Sequence, residues 1–74
     1  MKVYVYEHGC TGKIFFSDEI LDFEHKYCET CGSCDILLGE VTSKYEFLYM
    51  MIESRYTAEY IREMLTVLEV YLEG

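Results

Sequence analysis

Hydrophobic and polar positions change their period once along this chain. Up to about residue 41 the apolar residues come in short runs with rough alternation; beyond it they recur at three and four. "KVYVYE" (2–7) is β-branched and aromatic, and predicts a strand. "KIFFS" (13–17) predicts a second, and "HGCTG" between them reads as a turn with glycines at 9 and 12. "DEILDFEHK" (18–26) fits either a helical turn or an irregular loop. "DILLGEV" (35–41) predicts a third strand, interrupted at Gly39 by a bulge or bend.

In the second half, "SKYE" (43–46) places Ser at a cap position and Glu three residues later, the reciprocal pairing that satisfies orphan amides at a helix start. Tyr45, Leu48, Tyr49, Ile52 and Tyr56 follow at helical spacing. A second start is predicted with Thr57 as cap. Ile61, Met64, Leu65, Leu68, Tyr71 and Leu72 then form a second stripe. The fold class expected is α+β: a three-stranded module over 1–41 followed by a two-helix hairpin over 42–74, in one domain. The helix break is expected near 55–57.

Seventy-four residues bury little surface, and a chain this small usually needs a disulfide, metal or partner as a staple. Apolar residues make up 51%, which excludes a disordered composition. The N-terminus has no apolar stretch of signal-peptide length, and the longest apolar run, "FLYMMI", is too short to span a bilayer. A reducing cytoplasm is therefore expected, where clustered thiols hold metal more often than each other. Fourteen acids against six Lys and Arg leave a net charge of −8.

The chemistry lies in "YCETCGSCD" (27–35) and "EHGCTGK" (7–13). Cys28 and Cys31 are spaced so that a tight turn points both sulfurs at one ion, and Gly32 tolerates the backbone such a turn needs. Their neighbours Glu29, Thr30, Gly32 and Ser33 are unlike a core, which counts against two ordinary buried cysteines. Cys10 is the third ligand; seventeen residues separate it from Cys28, enough for a strand and its return. The fourth position is open. His8, in the turn of Cys10, ranks first and Cys34 second, with His25 and Glu7 behind them. Thiolates with imidazole suit a structural Zn2+, and iron fits an all-cysteine version. A closed four-ligand site leaves no position for activated water, so no hydrolytic chemistry is expected.

This order of strand, ligand turn, strand, "YCETCG" and strand resembles a zinc ribbon. It is also similar to short ribbon proteins of uncharacterised role in Gram-positive bacteria and their phages. The resemblance covers about the first 41 residues and implies Cys28 and Cys31 as one knuckle and Cys10 as half of the other. It departs from the pattern at "HGC", where a C-x2-C pair is usual.

Three function classes follow. The helices carry more apolar and aromatic side chains than one face of a small ribbon covers, so residues 44–72 are expected to meet a protein partner or a second copy of the chain. Direct nucleic-acid binding is disfavoured by the charge and by the scatter of Lys13, Lys26, Lys44, Arg55 and Arg62 among acids. Thiol redox work at Cys28, Cys31 or Cys34 is disfavoured by Glu29 and Asp35, which raise thiol pKa values. No other catalytic constellation is present in the sequence, and a regulator or adaptor rather than an enzyme is expected.

Overall fold

The computed structural model of the chain describes residues 2–21, 27–28 and 33–73, with 27, 28, 33 and 34 described by backbone alone. β1 (Val3–Glu7) and β2 (Ile14–Ser17) form a hairpin, and β5 (Ile36–Val41) lies antiparallel on the other side of β1. A separate two-stranded ladder joins β3 (Tyr27–Cys28) to β4 (Ser33–Cys34). Two helices follow, α1 (Lys44–Met51) and α2 (Ala58–Glu73). The architecture is α+β, a three-stranded antiparallel sheet followed by a two-helix unit, as the change of period predicts.

Alternation decides which face of the sheet meets the helices. Val3, Val5, Ile14, Phe16 and Val41 are buried together with Phe47, Met51 and Leu68 of the helices. Phe16 is central: its ring lies 5.5 Å from Phe47 and 5.7 Å from Tyr71, centre to centre. Burying each such side chain is worth about 1.5–3 kcal/mol, which makes this shared core the main cohesive element of so small a domain. On the opposite face Tyr6 stacks on its cross-strand partner Phe15 at 5.3 Å. The Tyr6 hydroxyl accepts from Leu21 N at 2.9 Å, so this fully buried tyrosine has its polar end satisfied.

The expected irregularity in the third strand is present. Val5 pairs with Gly39 and Tyr6 with Leu37, so Leu38 is the extra residue of a bulge in β5. A Cβ at Gly39 would lie 2.8 Å from Cε of Met50 in α1, the free end of a flexible side chain that would have to shift. β5 is an edge strand among the described residues, and Ile36, Leu37 and Leu38 are exposed on it.

Both predicted caps form. Ser43 Oγ accepts from Glu46 N at 3.3 Å, and Thr57 Oγ1 accepts from Tyr60 N at 3.1 Å. The Glu46 carboxylate turns outward to take the Thr42 hydroxyl. The break comes earlier than the periodicity suggests, because α1 ends at Met51. Ser54 bonds the Met51 carbonyl through both its amide, at 3.1 Å, and its hydroxyl, at 2.8 Å.

In α2 the predicted stripe is the packed one: Ile61, Met64, Leu65, Leu68, Tyr71 and Leu72 all lie in or against the core. In α1 it is not. Phe47 and Met51 are buried, whereas Tyr45, Tyr49 and Ile52 are 83%, 79% and 71% exposed. A helix apolar on most sides has no single preferred face, so the sheet selects the one that fits against Phe16. Lys44 Nζ meets Glu69 Oε1 at 2.6 Å and links the two helices at the surface. No helix among the described residues is long and apolar enough to cross a membrane.

Candidate metal centre

The turn between β1 and β2 carries His8 and Cys10 and is held from within. His8 N donates to Lys13 O, and Gly12 N donates to His8 O, both at 2.8 Å. Gly12 adopts φ +71°, a left-handed conformation that costs a residue with a Cβ about 1–2 kcal/mol. Two tyrosines hold the turn from outside. The Tyr56 hydroxyl sits 2.6 Å from Gly12 O and 2.9 Å from Glu7 Oε2, while Ile14 N donates to the Tyr60 hydroxyl at 2.6 Å. The two tyrosine rings stack at 5.1 Å. Burial, then the bond to Glu7, pushes the Tyr56 hydroxyl well above the ordinary tyrosine pKa.

His8 is oriented by a residue far along the chain. Its Nδ1 lies 2.6 Å from Asp35 Oδ1, and the same oxygen accepts from Gly9 N at 3.0 Å. The Asp35 side chain is only 8% exposed. Burial pushes its carboxyl pKa up, but the hydrogen bonds from His8 and Gly9, together with the charge of His8, outweigh that and hold it below the usual value. The Phe15 ring meets the imidazole edge-on at 6.3 Å. With Nδ1 engaged by a carboxylate, Nε2 is the nitrogen left for a metal. This is the carboxylate–histidine pairing that fixes the tautomer and orientation of metal-bound imidazoles.

The cysteine-bearing segments come together by topology. Glu7 pairs with Ile36, so the His8 turn starts beside the entry to β5, two residues after Cys34. Cys34 pairs with Tyr27 and Cys28 with Ser33, placing Cys28 and Cys34 in adjacent rows of the β3–β4 ladder. Cys10 is disulfide-bonded. One sulfur cannot serve a disulfide and a metal together, and the reduced thiolate is the form that ligates. Among the described residues no group of three or more His, Cys, Asp or Glu is placed to hold a metal, a set that lacks the side chains of Cys28 and Cys34. Cys31 and His25 lie outside the described residues. Glu7, ranked with His25 behind His8 and Cys34 for the fourth position, is engaged by Tyr56.

Asp35 and the tyrosine hydroxyls are the members of this site that sequence reasoning misses. Asp35 stands 27 residues from His8, and Tyr56 stands 44 from Gly12. No local pattern connects residues so far apart. No protein-family model matches the chain, and no curated protein or solved structure matches it.

Proposed function

We propose that the chain is a small acidic zinc-binding protein of the cytoplasm, with a structural metal site of ribbon type, that acts as a regulator or adaptor through protein contacts. The observation that carries the contact reading is the row Tyr45, Leu48 and Tyr49 on α1, continued by Ile52 at its C-cap. These residues recur at three and four along the helix and are 83%, 41%, 79% and 71% exposed. Helix rows of that composition usually enter a core; this one faces outward while its neighbours Phe47 and Met51 fill the core. Contiguous exposed apolar surface on a small domain marks a place where another macromolecule sits.

The metal half of the reading rests on donor chemistry. Cys10, Cys28, Cys31 and His8 supply three thiolates and one imidazole, with Cys34 as the alternative fourth ligand. The imidazole is already oriented through Nδ1 by Asp35. In a chain with so small a core, metal-binding free energy is largely folding free energy, so the ion acts as the staple of the N-terminal half. The net charge of −8 favours a basic protein target and opposes nucleic acid.

A thiol redox role is the second reading, favoured by the disulfide at Cys10. Mass spectrometry of the purified reduced chain under native and denaturing conditions separates the two. One zinc per chain with at most one titratable free thiol, that of Cys34, supports the metal site. An ion-free chain that cycles between dithiol and disulfide supports redox work and overturns the zinc reading. The same native spectrum reads the subunit number, and crosslinking through α1 tests the contact surface.

A further inference from the structure

The exposed apolar residues of β5 have no partner in either proposed role of the molecule. Among the described residues β5 has a strand neighbour on one side only, β1, so its other side offers free backbone N–H and C=O groups. Ile36, Leu37 and Leu38 are consecutive there and 55%, 44% and 36% exposed. A free edge of this kind is a template for another extended chain, with main-chain bonds giving affinity and side-chain pockets giving selectivity.

Such a pocket adjoins the edge. Leu38, Met50 and Tyr56 line a groove of about 580 Å³, with Glu7, Glu53 and Arg55 also on its walls. Two carboxylates against one guanidinium leave it negative, over a flexible methionine surface that suits the methylene stem of a long cation. Met50 and Glu53 also border a smaller hollow with Tyr49 and Ile52, so the groove runs on to the exposed row of α1.

We propose that β5 is the docking edge for an extended, lysine- or arginine-bearing segment of a protein partner. The segment pairs with Ile36–Glu40 and sets one basic side chain in the groove between Leu38 and Met50. Charge decides between this occupant and a second copy of the chain. Antiparallel self-pairing centred on Leu38 would set Glu40 opposite Ile36, with no new partner for its charge, and bring together two bodies each carrying −8. A basic strand meets the same charges with attraction. The inference rests on the protein-contact reading and specifies the partner's chemistry and where it sits.

The test titrates the full zinc-loaded chain, 15N-labelled, with a capped synthetic peptide alternating lysine and valine, and with a control alternating glutamate and valine. The expected result is saturable binding of the lysine peptide alone, with the largest amide shifts at Ile36–Glu40 and weakening as salt rises. Leu37→Lys places a like charge on the edge and Glu53→Lys reverses a groove wall at an exposed helix end; each is expected to weaken binding roughly tenfold. Both variants are checked for unchanged zinc content and circular dichroism, and Glu53→Lys carries the test if the strand variant misfolds. Absent or charge-indifferent binding, or indifference of binding to Glu53→Lys, overturns the proposal. Shifts confined to the α1 row overturn the β5 edge while leaving the adaptor reading intact; a monomer that binds neither peptide and crosslinks to nothing through α1 overturns both.

Discussion

Nδ1 of His8 and Oδ1 of Asp35 are 2.6 Å apart, joining two residues separated by 27 positions. That bond, with the Gly9 amide on the same oxygen, ties the β1–β2 turn to the start of β5. It orders the ground on which the candidate ligands stand.

Asp35→Asn is expected to lower stability by about 1–3 kcal/mol, because the charge-assisted partner of a partly buried imidazole is lost. Under the zinc reading it also weakens metal affinity by about 10–100-fold, the usual cost of losing an outer partner of a ligand. Isothermal titration with zinc and urea melts read the two effects separately.

Acid dependence follows from the same group. The folded state holds the Asp35 carboxyl below its ordinary value of 3.8, so its contribution is complete above that pH and is lost as pH falls through the lower folded value. Urea melts between pH 5 and pH 2, numbers set by the ordinary carboxyl range, are expected to show a shallower acid loss for Asp35→Asn than for the wild type. Parallel curves would remove Asp35 from the account of acid unfolding.

Tyr56→Phe deletes a hydroxyl that faces both Gly12 O and Glu7 Oε2, and is expected to cost about 1–3 kcal/mol. Because the folded state raises this hydroxyl's pKa above 10.0, its share of stability is intact below that pH and disappears as pH rises through the higher folded value. Denaturation midpoints measured on the alkaline side are expected to converge for wild type and variant.

Two aromatics on one helix separate the buried face of α1 from the exposed one. Phe47, at 0% exposure, is expected to cost about 3–5 kcal/mol when replaced by Ala, enough to unfold much of a marginal domain. Tyr49, at 79%, is expected to cost within about 0.5 kcal/mol. Thermal melts of the pair decide it; equal losses would mean that Tyr49 is covered in solution, by a partner or a second copy.

Chelation is expected to lower the melting temperature and to collapse the amide-signal dispersion of the strand half before that of α2. Cys10→Ser and Cys28→Ser are each expected to abolish stoichiometric zinc binding. His8→Ala and Cys34→Ser, compared by native mass spectrometry, identify the fourth ligand.

The element positions were legible because local rules write them. Alternation in "VYVYE" and "IFFS", the caps at Ser43 and Thr57 and the α2 stripe each act over a few residues, and each appears where the pattern places it. The α1 stripe misled because spacing records that residues share a face, not which face is covered. The site was legible only in part: His8 and Cys10 share one short turn, but nothing near them announces Asp35, Tyr56 or Tyr60.

From its sequence alone this chain determined where the three strands of the main sheet and both helices begin, and which residue types can ligate a metal; the β3–β4 ladder was not legible in it. Periodicity, capping and side-chain chemistry are short-range properties, so they need no fold to be read. Tertiary structure alone decided that Phe47 rather than Tyr49 meets Phe16, that Asp35 takes His8, and that β5 is an edge strand among the described residues. Those outcomes depend on which distant surfaces meet, and burial and hydrogen bonding settle that only once the chain has closed on itself.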